Sequence, residues 1–403
     1  MCAAAAASSA VIGRHGEPRR GRLAWAIVYL TGASGRFDLA VIGGGPAGAA
    51  VAIRATQLGL AVAVIDAPRA SELCVGEAVP ADLERPLRRL GAWDAFLADG
   101  HLPAAGPCSA WGEAAVAWSD RFAFTHGGGW HLDRARFDAT LRCAARTAGA
   151  TVLDGGRVLD IERSGGEWRL DLAGEARPLR ARFLVDATGR AAVIARRLGA
   201  RRLEADRTIA IHAALGLDGA RTAIRQPLLE TVEHGWWYAA RVPGGRMIVS
   251  LFSDADVARS TGGLAPAGWH RLFASTRHIA PLLGAPAAPA RVHSVSAASH
   301  CLDRLHGSGW LAVGDAACAV DPLAASGIFL ALDDGVAAGD AIARALCGDG
   351  RVLDAHGRVI RQRFSQFLSE RRDRYALETR WQRAEFWRRR AGPPPGPVDE
   401  ARP

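Results

Sequence analysis

This chain of 403 residues contains no lysine and no asparagine, and it has only two methionines and three tyrosines. Any chemistry that needs an ε-ammonium on a long flexible stem is thereby excluded. Fifty basic residues, all of them arginine, face 41 acidic ones for a formal charge of +9. With an excess of Ala, Gly and Arg, the two missing residue types point to a GC-rich coding bias, so the charge says little about partners. The arginines are spread along the chain rather than interleaved with aromatics in one patch, which argues against nucleic-acid binding. Seven cysteines, at 2, 74, 108, 143, 301, 318 and 347, include no closely spaced pair that would suggest a metal or redox site. No metal is expected, and a reducing, cytoplasmic setting is the simple reading. No integral membrane segment is expected either. Arg19, Arg20 and Arg22 precede an apolar stretch from Leu23 to Leu30, but it is too short to span a bilayer and lacks a convincing cleavage region.

What is present is a globular composition, 49% hydrophobic and 23% charged. The length suits one nucleotide-binding domain interleaved with a second domain. Residues 1–36, irregular and rich in Ala, Ser, Gly and Arg, are expected to form a disordered extension.

Asp38 to Ile42 reads as a buried strand, Gly43-Gly-Gly-Pro-Ala-Gly48 follows at once, and Ala49 to Gly59 has the small-residue pattern of a helix packed on a sheet. Each position of that turn has its own task. Gly43 permits the tight turn, Gly45 lets backbone approach a pyrophosphate, and Gly48 lets helix and strand pack closely, with Ala47 in the first helical turn. The phosphates would sit at the positive end of the helix. A second strand, Leu60 to Ile65, ends in Asp66, whose carboxylate suits the hydroxyls of an unphosphorylated adenosine ribose. FAD and NAD both fit at this point.

Far along the chain, Gly309-Trp-Leu-Ala-Val-Gly-Asp315 is another apolar strand ending in Gly-Asp. Asp321-Pro-Leu-Ala-Ala-Ser-Gly-Ile328 and a long helical pattern to about Leu346 follow. With these two segments the sequence resembles the FAD-dependent monooxygenases, halogenases and prenyl reductases that share the aromatic-hydroxylase fold, over nearly everything from Phe37 to Leu346. The resemblance implies an FAD. Asp315 would bond its ribityl and pyrophosphate part, and Pro322 to Ile328 would pass beside the isoalloxazine, with Gly327 and Ile328 offering backbone N–H groups. A helix starting there would place its positive end near the flavin and stabilise the anionic reduced ring. Trp130-His-Leu-Asp-Arg-Ala-Arg-Phe-Asp138 resembles the family's Arg-x-x-Phe-Asp helix start, where Arg134 would meet the phosphates. Phe183-Leu-Val-Asp-Ala-Thr-Gly-Arg190 resembles an element close to the adenine, and Arg157-Val158 the backbone that meets it.

The implied fold is α/β: a Rossmann-type FAD-binding domain (37–105, 131–207 and 293–346), a mainly antiparallel β substrate domain (106–130 and 208–292), and an Arg- and Trp-rich helical tail (347–403). Strands are predicted at 209–214, 236–242 and 247–253, and Trp236, Trp237 and Tyr238 alternate across theirs, so that either at least one faces the pocket while its neighbour packs inward or they serve as core packing. The tail carries Phe364, Phe367, Leu368, Tyr375, Trp381 and Phe386 at roughly helical spacing and is expected to fold back on the core. A membrane-surface or acidic-partner role for its arginines is the alternative.

Members of this class hydroxylate aromatics, halogenate, or reduce prenyl double bonds. Halogenation is disfavoured, because the flavin halogenases rely on a lysine and this chain has none. Their Trp-x-Trp-x-Ile-Pro signature is also altered, to Gly235-Trp-Trp-Tyr-Ala-Ala-Arg-Val-Pro243. Cys74-Val-Gly-Glu-Ala-Val-Pro80 resembles a loop lying along the flavin, where Glu77 either positions substrate and tunes the ring or simply bonds backbone amides. His131 is either a proton shuttle or a strand-end histidine. Taken together, the segments 74–80, 129–138 and 235–238 and the tail from Tyr375 to Arg388 look like the maturation flavoproteins of tryptophylquinone-cofactor amine oxidases and dehydrogenases, which hydroxylate a Trp residue inside a partner protein. The expectation is therefore a monooxygenase acting on such a partner or on a small aromatic molecule, with a prenyl-type reductase or a non-catalytic flavin scaffold as alternatives. No second GxGxxG unit appears, so electrons would come from transiently bound NAD(P)H or from a separate reductase.

Overall fold

Runs of Val, Ile, Leu and Ala bounded by glycine turns form the centre of the molecule, as strands buried on both faces require. The computed structural model describes residues 35–68, 78–118, 128–217, 225–284 and 286–391. The strand Arg36–Ile42 lies between Leu179–Asp186 and Val62–Asp66, with Trp310–Ala312 outside the first and Thr151–Asp154 outside the second, all parallel. An antiparallel hairpin, Val158–Ser164 and Glu167–Leu172, extends the sheet alongside 179–186. Helices Pro46–Gln57, Arg134–Ala148 and Gly327–Leu346 cover one face, burying Leu39, Val41, Val64 and Val185. The α/β reading therefore holds.

The helices at 46–57 and 327–346 lie unusually close. A Cβ on Gly335 would fall 2.6 Å from the Ala47 carbonyl oxygen, and one on Gly339 would fall 2.9 Å from the Arg54 side chain. This contact brings the two helix N-termini to the same end of the sheet.

A second sheet, antiparallel but for one pair, is ordered His293–Ser296, Thr208–Gly216, Arg246–Asp254, Gly235–Val242, Leu228–Val232, Cys108–Ala110, Ala117–Trp118. Residues 293–296, expected at the start of the third FAD-binding segment, thus form an edge strand of the second sheet. The three strands read from alternation are all present. Trp237 packs on Trp269 and Phe273 behind this sheet, whereas Trp236 faces the other way, as the alternation predicts.

The tail is a 26-residue helix, Arg351–Ala376, followed by a turn and the short helix Glu385–Arg388. It does fold back. Tyr375, Phe386 and Trp387 join Trp111, Trp236, Phe252 and Leu323 in one buried cluster that ties tail, second sheet and the 322–328 loop together.

One reading needs correction. Cys301 and Cys318, 17 residues apart, face each other across two antiparallel strands and are joined by a disulfide, with Cα atoms 4.0 Å apart. Their spacing gave no hint of pairing, because the strands that bring them together are only three and two residues long. Among the described residues no cluster of His, Cys, Asp or Glu could hold a metal ion, and no helix is long and apolar enough to cross a membrane.

Candidate active site

The glycine turn shows a division of labour. Gly43 has φ +107°, and a Cβ there would lie 2.3 Å from the Ala187 carbonyl oxygen, so only glycine fits. At Gly48 a Cβ would fall 1.9 Å from the Gly43 oxygen and 3.0 Å from the Ala187 side chain, which fixes the helix against the strand. Gly45 differs from both: its φ of −73° suits any residue, and a Cβ there would meet nothing within 4 Å. Open space beside a glycine at a helix N-terminus without a side-chain cap is room for a ligand, and the first-turn N–H groups after Pro46, which has none, lack intrahelical acceptors. Gly44 N–H donates to Asp66 Oδ1 at 2.8 Å, and Arg142 stands 3.5 Å from the other oxygen of that carboxylate. Asp66 thus sits against the glycine turn.

The second loop converges on the first. Gly314, at φ +56°, packs directly on Ala47, where a Cβ would come within 2.7 Å, and its N–H donates to Asp334 at 2.7 Å. A cavity of about 490 Å³ opens between them, bordered by Gly45, Ala47, Arg134, Asp315, Pro322, Gly327 and Ile328. Seven of the expected cofactor-binding residues therefore share one wall. Gly43 and Gly48 shape the turn from behind. Val158, half-buried at the start of its strand and packed on the core of the opposite sheet face, does not border this cavity.

Electrostatics suit a ligand with a diphosphate. Arg134 opens its helix at the cavity wall, 3.4 Å from the Asp138 carboxylate. Burial raises the Asp315 carboxyl above the usual range, while Arg190, with Nε 3.4 Å away, and Arg134 pull it down. Arg190 also donates to the carbonyls of Ala298 and Val320 at 2.7 Å each, tying the chain after the 293–296 strand to the segment that leads into the 322–328 loop. Sequence reasoning found its segment but not this task.

The loop is held from below as well. Asp321 accepts from Leu323 N–H at 2.8 Å, from Arg371 Nε at 3.0 Å and from the Tyr375 hydroxyl at 2.9 Å, and that hydroxyl in turn accepts from Trp236 Nε1 at 2.9 Å. The C-terminal helix therefore sets both the loop and an aromatic wall of the cavity. A helical spacing signal pointed to Tyr375 as core, but nothing in the sequence announced its bond to Asp321.

Of the two catalytic candidates, Glu77 lies outside the described residues. His131, almost fully buried, borders a separate small cavity with Arg225 and Arg241. Burial, offset by a backbone bond at Arg241 and reinforced by its charge, pushes the His131 imidazole down to about 4. The far wall of the large cavity belongs to the second sheet, with Leu229, Trp236, Phe252, Tyr238, Ser250 and His212.

The description "FAD binding domain" fits residues 36–368 of this chain as a family. A protein of Marinomonas mediterranea described as an FAD-dependent oxidoreductase, LodB, is 29% identical over 375 residues, which is 88% of this chain and 96% of that protein. The structure of the peptidyl tryptophan dihydroxylase QhpG, essential for tryptophylquinone cofactor biogenesis, is 30% identical and superposes with a TM-score of 0.74 over 89% of this chain and 79% of QhpG. The flavin-dependent halogenase CmlS, 24% identical, shares the fold with a TM-score of 0.78 over 90% of this chain and 68% of its own.

Proposed function

The chain belongs to the FAD-binding-domain family and is an FAD-dependent oxidoreductase, and from that premise we propose that it is a monooxygenase hydroxylating an aromatic group, specifically a Trp residue of a partner protein during quinone-cofactor biogenesis. The observation that carries the reading is the second wall of the cavity. Trp236, Phe252 and Leu229 border the same cavity as the 322–328 loop, so an aromatic ring brought there would lie between apolar side chains and the flavin. The 30% identity to a peptidyl tryptophan dihydroxylase supports Trp as the target.

Gly45 and the N–H groups opening the 46–57 helix would hold the diphosphate, with Arg134 neutralising its charge. Asp315 would bond the ribityl chain, and Gly327 and Ile328 would donate to the flavin ring from the start of the 327–346 helix. A bound FAD would supply electron transfer from a donor to dioxygen, the chemistry by which one oxygen atom becomes available to an electron-rich ring. The remaining work falls to the protein: the apolar wall excludes water, and the Asp321 network keeps the loop in place. NAD(P)H or a separate reductase would supply the electrons.

The test is transfer of labelled oxygen. Protein loaded with FAD and a reductant is incubated under heavy-isotope dioxygen with a Trp-bearing peptide or partner, and the Trp should gain labelled oxygen detectable by mass spectrometry. Turnover that persists without oxygen would instead mean a reductase. A lack of any turnover would leave a flavin-binding scaffold.

A further inference from the structure

Four residues stand directly opposite one another on four adjacent strands of the second sheet. Tyr238 pairs with Ser250, Ser250 with His212, and His212 with His293 at the edge strand. Residues directly opposite project from the same face, and the first three border the large cavity. The next row along the strands is Trp236, Phe252, Ala210 and Val295. A polar stripe thus crosses an apolar wall.

His212 is the buried centre of that stripe, 4% exposed. Its Nδ1 lies 2.6 Å from Ser250 Oγ, and its Nε2 has no hydrogen-bond partner among the described residues. Burial, and to a lesser degree the neighbouring His293, lower its imidazole to about 4, so the ring is neutral near pH 7 and carries one N–H. Hydrogen-bond accounting places that proton. Among the described residues Ser250 Oγ has Nδ1 as its hydrogen-bond partner, and a buried hydroxyl proton left without an acceptor is costly. With the proton on Nε2, that N–H alone lacks a partner among the described residues; with it on Nδ1, both the Ser250 hydroxyl proton and the bare Nε2 would lack one, so Ser250 donates to Nδ1 and the imidazole proton sits on Nε2. A buried N–H that no group among the described residues accepts, on a side chain bordering a ligand-sized cavity, is suited to meet an acceptor on the ligand.

We infer that His212 seats the substrate by donating Nε2–H to an oxygen carried on or beside the aromatic ring, a ring hydroxyl or a carbonyl. The inference rests on the aromatic substrate proposed above and adds how that ring is oriented. Such a contact would favour rings already bearing oxygen over bare ones by about tenfold, the worth of one net hydrogen bond at the strong end of its range. Ser250, which does not reach the ligand through this contact, acts as a positioning residue by fixing the tautomer.

The experiment uses the full chain loaded with FAD and measures equilibrium binding of indole, the hydroxyindoles substituted on the benzo ring, and 2-oxindole, by calorimetry and by perturbation of the flavin spectrum. At least one oxygenated ring should bind about tenfold more tightly than indole. His212→Phe should abolish that preference, read as the ratio of oxygenated-ring to indole affinity, and Ser250→Ala should reduce it in part. In protein labelled with nitrogen-15 at histidine, the His212 signals, assigned by their shift in Ser250→Ala, should show the Nε2–H form. Equal binding of all rings by the natural protein, a preference that survives His212→Phe, or an Nδ1–H signal would overturn the assignment. The nitrogen spectrum decides even if His212→Phe fails to fold. A protein that shows the preference but transfers no oxygen to any ring would keep this assignment and lose the monooxygenase reading, and the converse result would do the reverse.

Discussion

Gly45 and Gly48 stand three residues apart in one turn, yet substitution should harm one in binding and the other in folding. At Gly45 the backbone is extended, with φ −73° and ψ −175°, and a Cβ meets nothing within 4 Å. Valine there should cost folding only about 1 kcal/mol, the loss of a favourable N-cap residue. The side chain would, however, fill the space the diphosphate needs. Losing two charge-assisted backbone bonds at about 1.5 kcal/mol each amounts to about 3 kcal/mol, or roughly a hundredfold in Kd for FAD. At Gly48 even alanine would put a Cβ 1.9 Å from the Gly43 oxygen, a backbone atom that cannot swing aside. The helix would have to lift off the strand, at about 3 kcal/mol or more. Urea denaturation of flavin-stripped protein, followed by FAD titration monitored by flavin fluorescence, separates the two effects. If Gly45→Val holds FAD within threefold of the natural protein, the diphosphate does not run past this turn and the assignment of the cavity is wrong.

Tyr375→Phe removes the hydroxyl shared by Asp321 and Trp236; about 2–4 kcal/mol of stability should be lost, and FAD should dissociate faster as the loop loosens, read by stopped-flow release. Arg390→Met strips Asp254 of its 2.6 Å partner in the interior and leaves Arg389 at 2.9 Å, so chemical denaturation should report about 3 kcal/mol lost. The exposed pair Arg36–Glu167, removed as Arg36→Met, should cost less than about 1 kcal/mol in the same assay. Burial lowers His131, His212 and His300 to about 4 when folded against 6.5 unfolded, so protonation favours the unfolded chain; their contribution to stability is full above pH 6.5 and drains as pH falls toward 4. Together these three groups should contribute up to about 4 kcal/mol per pH unit between these limits, and His131→Phe should remove about a third of that contribution in denaturation series.

The parts of the site that the sequence displayed are those where one residue type alone satisfies a local constraint. Gly43 and Gly48 are legible because backbone atoms occupy the places their side chains would take. Asp315 and Gly327 are legible because a strand end and a helix start bracket them. Trp236 was separable from Trp237 by the period of a strand. His212 and Ser250 belong to no motif: 38 residues apart, they meet only through strand register, which hydrophobic alternation does not fix between distant segments. The same holds for Cys301 with Cys318 and for Asp321 with Arg371, 50 residues apart.

The arginine content acquires a different meaning once those long-range pairs are known. Arg190 spans two carbonyls and Asp315, Arg371 bridges Asp321 and Asp206, and Arg390 reaches both Asp254 and Thr208. Each guanidinium joins segments far apart in sequence through its fork of donors, a task for which the point charge of a lysine is poorly shaped. Burying such a group is tolerable only because several acceptors meet it at once. Two of the three come from the tail, whose positive charge in isolation suggested an acidic partner or a membrane surface. Arg371 and Arg390 are instead spent inside the molecule, on the carboxylate beneath the 322–328 loop and on the end of the 246–254 strand. Cutting the chain before residue 351 would therefore leave Asp321, Asp206 and Asp254 buried without these counter-charges, and the 322–328 loop would lose its footing before any partner surface was lost.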